Sequence, residues 1–283
     1  MMLGVALVAH HERSTAREHA LRALQWCSER DVPFWMTPDD AAALQLDEHA
    51  SARSIAEASL VLSLGGDGTM LRSVRLLEGA AVPLLGVNLG SLGYLTEVEP
   101  DHLTDALDRF VSGERDGRWH LDERMMLDVS VNGQRVGRAL NEAVVEKAQS
   151  GHTVRLLARI DGEPFTYYAA DGLIVATPTG STAYSLSARG PIVSPRHRAM
   201  LLTPVSPHML FDRTLVLDPS EAIEIEVTGH RRAELTLDGR PVASLDDGDV
   251  VSCSPSAATA NFVRFGAERY HQILKAKFGL ADR

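Results

Sequence analysis

A chain of 283 residues with 45% hydrophobic content is long enough for one large domain or two ordinary ones, and it can bury a full core. Its formal net charge of -10 and pI near 5.5 argue against a nucleic-acid or anionic-membrane surface, since either partner needs a clustered positive field. Cys27 and Cys253 show neither a disulfide framework nor paired zinc spacing, and there is no basic leader and no apolar run near the about 18 residues that span a bilayer, so a soluble cytoplasmic chain is expected.

In the first third, short branched apolar runs alternate with helix-period segments, the pattern of a parallel sheet covered by helices. Residues 2–9 predict the first strand. A helix is expected over 15–30, with Ala20, Leu21, Leu24 and Cys27 on one stripe and Ser14 as its cap. Further strands are expected at 32–36, 60–64 and 83–87, and helices at 69–78 and 101–112. The polar stretch Gly113 to Gly117 is the natural boundary. Beyond Trp119 the texture becomes strand-like, punctuated by Asn132-Gly133, Asp161-Gly162 and Asp238-Gly239, dipeptides that favour tight hairpins. The segment 267–279 is amphipathic, with Tyr270, Ile273, Leu274 and Phe278 on one side, and predicts a terminal helix. The expected division is therefore an α/β domain over 1–117, a β-rich domain over 118–264, and a closing helix over 265–283.

Four stretches carry candidate chemistry. Gly65-Gly66-Asp67-Gly68-Thr69 stands where a buried strand ends and a helix begins, the edge at which α/β sheets bind ligands. Glycines let the backbone approach an anion closely, and the following helix adds its positive end. It is not a Walker loop: G-x-x-x-x-G-K-[ST] is absent, and the only lysines are Lys147, Lys275 and Lys277. One reading is a plain turn with Asp67 as cap. The other is phosphoryl transfer, in which an acid beside phosphate holds Mg²⁺ or accepts a proton from the attacking hydroxyl. A second glycine-rich loop, Asn88-Leu89-Gly90-Ser91-Leu92-Gly93-Tyr94-Leu95-Thr96-Glu97, is expected at the same sheet edge. As a plain loop it would put Tyr94 and Leu95 in the core.

Asn141-Glu142 opens a strand-like run; Asn suits a base edge and Glu suits sugar hydroxyls, although a solvated strand end reads the same way. Last, Asp171 to Ser187 crowds Thr177, Thr179, Ser181 and Thr182 around Pro178 and Gly180 after an apolar strand. Tyr184 offers a ring for a purine; alternatively Ser181 or Thr182 caps a short helix through Ala188, with Tyr184 in the core.

Together these stretches resemble the bacterial NAD kinase family, which carries G-G-D-G-T, then N-L-G-x-L-G-[FY]-L-T, then N-E or N-D, then D-G-x-x-x-x-T-P-T-G-S-T-A-Y. The resemblance implies a Rossmann-like α/β nucleotide domain, a C-terminal all-β sandwich-like domain, and a last helix packing back on the first domain. It implies transfer of the terminal phosphate of ATP, or of polyphosphate, to the adenosine ribose 2′-hydroxyl of NAD. A divalent metal, Mg²⁺ by expectation, and a homodimer or homotetramer are also implied; metal ligands are not. Carried over, Asp67 is the proton acceptor, Gly65, Gly66 and Gly68 form the phosphate turn, and Arg72 faces the dinucleotide phosphates. Asn141 and Glu142 contact the adenine side and a ribose, while His152, Asp171 and Thr182, Ala183, Tyr184, Ser185, Leu186 and Ser187 complete the pocket; Thr69, Asn88, Tyr94 and Thr179 join the candidate binding residues. Two departures stand out: Ala169 replaces an Arg found in many members, which leaves NAD versus NADH open, and Arg240 falls at a variable ligand-contact position. A lipid kinase sharing G-G-D-G would lack the second and fourth stretches, a phosphofructokinase would bring an acid motif absent here, and a binding-only NAD(H) sensor gains nothing from Asp67.

Overall fold

The chain divides into two units, Met1–Glu123 with Ala260–Arg283, and Arg124–Thr259. The structure is a computed structural model and describes residues 3–113, 118–266 and 270–280. Most of the expected Gly113 to Gly117 boundary and the start of the expected terminal helix, 267–269, lie outside the described residues.

In the first unit the strands are β1 (Val5–Ala9), β2 (Phe34–Met36), β3 (Leu60–Gly65) and β4 (Leu84–Asn88), all parallel in the order β2-β1-β3-β4. Every residue of β1, β3 and β4 is buried, as a sheet covered on both faces requires. The covering helices are α1 (Ser14–Ser28), α2 (Pro38–Leu44), α3 (Asp67–Leu76) and α4 (Leu103–Val111). Ser14 does not cap α1 but opens it; Arg13 is the cap residue and makes no side-chain cap bond. The helix expected from Thr69 begins two residues earlier, at Asp67, because Gly66 takes the extended cap conformation. The helix expected from Asp101 starts as a short 3-10 turn, Pro100–His102, before α4. Helix α2 has no counterpart among the expected elements. Thr37 accepts from the Asp40 N–H, Pro38 sits at the first helical position and Asp39 and Asp40 occupy the first turn, a standard set of start signals.

The second unit is built from most of β5 (His120–Val131), whose first four residues belong to the first unit, β6 (Gln134–Ala139), β7 (Glu142–Lys147), β8 (Val154–Ile160), β9 (Glu163–Ala170), β10 (Gly172–Ala176), β11 (Met200–Val205), β12 (Leu215–Leu217), β13 (Ile223–Thr228), β14 (Ala233–Leu237), β15 (Arg240–Leu245) and the larger part of β16 (Val250–Arg264), with one short helix, α5 (Tyr184–Ser187). One antiparallel sheet has the order β12-β11-β10-β7-β14-β15, and the other strings together β16, β13, β8 and β9. Leu156 and Tyr168 from one sheet and Val145, Val175 and Leu235 from the other share a single apolar core, which makes this unit a sandwich. All three anticipated hairpin dipeptides are present as left-handed pairs, for example Asn132 at φ 51° and Gly133 at φ 78°, the geometry that matches strand twist.

Strand β16 begins in the second unit, where it pairs with β13, and ends in the first, where Phe262 pairs with Leu84. Two residues later Arg264 is buried. Its Nε donates to Asp122 at 3.2 Å, and Nη1 donates to the Leu95 carbonyl and to Glu97, each at 3.1 Å. The terminal helix, α6 (Tyr270–Lys277), buries none of its residues and rests on the first unit through rings, Tyr270 lying 6.2 Å from Tyr94.

Candidate active site

In the first unit the chain leaves β1 toward β2 on one side and adds β3 on the other, so the loops that follow β1 and β3 diverge at their carboxyl ends. That divergence opens a crevice. It is a cleft of about 560 Å³. His10 to Arg13 after β1, Gly66 to Thr69 after β3, Ser91 to Gly93 after β4, Arg72 and Lys277 line it.

Asp67 is the first residue of α3, and its carboxylate is held by the second glycine loop. Oδ2 accepts from the Tyr94 N–H and Oδ1 from the Leu95 N–H, both at 2.9 Å. A carboxylate offers about four acceptor sites, so each oxygen keeps one for another group. The loop closes this tightly because a Cβ at Gly93 would overlap Oδ1 of Asp67. Gly65 is packed as closely, since a Cβ there would overlap the Thr69 hydroxyl, which fixes Thr69 as a buried wall of the turn. Gly66 and Gly68 have open space at that position, so their lack of a side chain leaves room in the cleft.

Asn88 is buried and shapes the second loop: its Oδ1 accepts from the Gly90 N–H at 3.1 Å and its Nδ2 donates to Glu99 at 3.4 Å. Tyr94 is half-buried, not in the core. Burial first, then the charge of Asp67, raises its phenol above the ordinary range.

Arg72 lines the cleft, and its guanidinium is anchored. It pairs with Asp40, which is fully buried, and Nη1 lies 2.6 Å from Nε2 of His11. Asp40 also accepts from the Ala9 N–H at 3.1 Å and from the Thr37 hydroxyl at 2.5 Å. Nε2 of His11 lies 3.1 Å from Asp40 as well; one ring nitrogen serves only one of these neighbours at a time. Asp40 and His11 are not among the residues expected from sequence, although T-P-D-D marks a helix start and His10-His11 directly follows the first strand.

Among the described residues no three His, Cys, Asp or Glu side chains converge on a cation site. Mg²⁺ bound with a substrate phosphate keeps several waters and needs only one or two protein carboxylates. Asp67 and Glu12 meet that smaller requirement, both lining the cleft.

In the second unit the N-E and T-P-T-G stretches lock together. The Thr177 N–H donates to the Asn141 carbonyl at 2.8 Å, the Thr177 hydroxyl donates to the Leu140 carbonyl at 2.6 Å, and a Cβ on Gly180 would overlap the Asn141 carbonyl oxygen. Asp238, from a hairpin dipeptide, clamps the other side by accepting from the N–H groups of Leu140, Asn141 and Glu142 at 2.9, 2.7 and 3.1 Å. Glu142 is therefore buried next to a second carboxylate. Burial, then Asp238, pushes its carboxyl up to about 8, against the lowering effect of the Tyr184 N–H that bonds to it.

That shift carries a pH signature. The unfolded Glu142 loses its proton at the ordinary value, while the folded one keeps it to about 8, so in this window the native state binds more protons and stability falls as pH rises. Glu142→Gln is expected to remove the slope, melting higher than the parent at pH 8 and close to it at pH 5. Thermal melts across that range test this; a parent whose stability rises from pH 5 to 8 through this residue contradicts it.

Asp171 is half-buried and accepts from Lys147 Nζ at 2.5 Å. Tyr184 opens α5 with its ring exposed, and burial, Glu146 and Asp171 raise its phenol. The alternative of Ser181 or Thr182 as helix caps is not what the structure shows: Ser181 donates to the Pro178 carbonyl at 2.7 Å and Thr182 to the Thr179 carbonyl at 3.3 Å. The Thr179 hydroxyl accepts from Arg124 at 3.4 Å. Ser185 is fully buried with its hydroxyl 3.0 Å from that of Thr203, while Ser187 is exposed and Thr182, Ala183 and Leu186 are half-buried.

His152 lines a cleft of about 440 Å³ with His230, Arg231, Arg232 and Lys147, the last being the partner of Asp171. Ala169 is half-buried near the end of β9, its carbonyl accepting from the His208 N–H at 2.7 Å. Arg240 is exposed at the start of β15, just past the Asp238-Gly239 turn.

Comparison with known proteins bears on both units. Residues 5–115 match the model of the ATP-NAD kinase N-terminal domain and residues 140–265 that of the ATP-NAD kinase C-terminal domain. An NAD kinase of Heliobacterium modesticaldum is 39% identical over 279 residues, covering 96% of this chain and 97% of that protein. One of Moorella thermoacetica is 40% identical over 283 residues, covering 98% and 89%. Among solved structures, a yeast NADH kinase complexed with NADH superposes with a TM-score of 0.90 at 26% identity, over 100% of this chain and 89% of that one. An NAD kinase from Archaeoglobus fulgidus in complex with ATP gives 0.75 at 25% identity, over 98% and 100%.

Proposed function

The chain belongs to the NAD kinase family, an enzyme family that phosphorylates NAD from ATP to give NADP, and from that premise we propose how its residues divide the work. Asp67 accepts the proton of the adenosine ribose 2′-hydroxyl as that oxygen attacks the terminal phosphorus of ATP. The observation that carries this is its carboxylate, fixed by two backbone N–H groups at the head of α3 with an acceptor site left on each oxygen.

The donor phosphates lie in the cleft of the first unit, against the glycine turn and the positive end of α3; Arg72, expected from the resemblance to face the dinucleotide phosphates, lines this same cleft and is assigned here to the donor instead. Mg²⁺, held by Asp67 and Glu12 with the phosphates, would neutralise charge on the transferring group. In the second unit Asn141, Glu142, Asp171 and the run Thr182 to Ser187 bind NAD, with Tyr184 offering its ring to the adenine. A protonated Glu142 presents both a donor and an acceptor to a sugar hydroxyl. With Ala169 in place of Arg, one charge toward the dinucleotide is absent, and the exposed guanidinium of Arg240 supplies a replacement, with His152 as a polar contact.

We place the enzyme in the cytoplasm, where its substrates are, and among the described residues no helix is long and apolar enough to cross a membrane. A homodimer or homotetramer is supported by β9, an edge strand that exposes Phe165 and Tyr167.

The test is incubation with ATP, Mg²⁺ and NAD, read by an NADP-specific dehydrogenase, with NADH and polyphosphate run in parallel as alternative acceptor and donor. NADP should accumulate with ATP and NAD. Its absence with every donor would overturn the assignment.

A further inference from the structure

The terminal helix brings the chain's last lysine to the cleft. Lys277 lines the same cavity as Asp67 and the glycine turn, and its Nζ stands 4.7 Å from the centre of the Tyr94 ring. Among the described residues it has no carboxylate partner, whereas the other cations there are engaged: Arg72 with Asp40, Arg13 with the Leu89 carbonyl. The chain has only two other lysines; Lys147 is paired with Asp171 in the second unit, and Lys275 has its own partner.

A free ammonium facing a cavity lined by glycine N–H groups is suited to phosphate oxygen, since it is a compact charge with three donors on a flexible stem. The ring beneath it holds the side chain in place by cation–π attraction without neutralising it. Tyr94 also has a second connection: its backbone N–H holds Oδ2 of Asp67. Helix α6 itself buries nothing, so packing alone does not explain why its last turn is seated at this cavity.

We propose that Lys277 is a phosphate-binding residue of the donor cleft, delivered by the terminal helix and seated on Tyr94. Arriving at the phosphates, the ammonium stays over the ring that shares a residue with the Asp67 clamp, so donor binding steadies the loop that orients the acid. This rests on the placement of the donor phosphates proposed above.

The experiment compares Lys277→Gln and Lys277→Arg with the parent enzyme. Loss of a charge-assisted hydrogen bond predicts a KM for ATP raised about 10- to 100-fold in the Gln variant, with partial recovery in the Arg variant and KM for NAD within about twofold of the parent. Inorganic tripolyphosphate, as a competitor of ATP, should lose affinity in the Gln variant by a similar factor. The side chain is exposed, so the melting temperature should stay at the parent value. An unchanged KM for ATP and an unchanged tripolyphosphate affinity in the Gln variant overturn the role of Lys277 and leave the kinase assignment intact. A parent enzyme that makes no NADP from any donor removes both.

Discussion

Asp67→Asn is expected to lower kcat by about 10² to 10⁴, the usual worth of a general base, while NAD binds nearly as before. Asn matches Asp in size but accepts no proton from a sugar hydroxyl. The structure adds a second effect. Tyr94 and Leu95 each direct an N–H at a different oxygen of Asp67, and an amide can offer an oxygen to only one of them. The other N–H then faces an NH₂ group, which costs about 1–3 kcal/mol for the lost acceptor. The variant should therefore melt lower as well as turn over slowly. Steady-state kinetics, calorimetric titration with NAD and a thermal melt separate the effects. A variant that loses NAD affinity while keeping kcat within about tenfold of the parent contradicts the role of base.

Asp40→Ala is expected to destabilise the first unit by about 3–5 kcal/mol, the cost of breaking a buried pair from one side. Asp40 is fully buried and is the common acceptor for Arg72, the Thr37 hydroxyl and the Ala9 N–H, so three donors lose their partner at once. The guanidinium is stranded as well, its Nε already being buried without a partner. Freed from its anchor, Arg72 no longer holds one position in the cleft, and KM for ATP should rise with it. Urea unfolding measures the first effect and kinetics the second. A loss below about 1 kcal/mol contradicts the view that this carboxylate organises the wall of the cleft.

The parallel strands of the first unit were legible in the sequence because a sheet covered on both faces needs uninterrupted apolar runs, and Val5–Ala9 and Leu60–Gly65 are such runs. The hairpins were legible because Asn-Gly and Asp-Gly tolerate positive φ. What was hidden depends on which strands become neighbours. His10 to Arg13 belong to the cleft only because β1 lies beside β3, and no local signal states that adjacency. Asp40 hides for a similar reason: a first-turn acid looks like a solvated helix start until its helix is packed against the sheet. The motif residues were legible as a group, but their separate tasks were not. Ser185 sits within the T-P-T-G-S-T-A-Y-S run and yet turns its hydroxyl inward to Thr203. Asp238, which looked like a turn residue, spends its carboxylate on three strand N–H groups.

The buried Arg264 has a consequence for the order of synthesis. It ties the carbonyl of Leu95 and the carboxylate of Glu97 at the base of the loop whose N–H groups grip Asp67. A ribosome that has released only the first 123 residues has already made the glycine turn, the acid and the loop, but the arginine that fastens them is still about 140 codons away. The nascent chain thus carries every reacting group of the amino-terminal half and lacks the fastener that sets them. Competence arrives late in translation, when the whole intervening β-rich segment has been made.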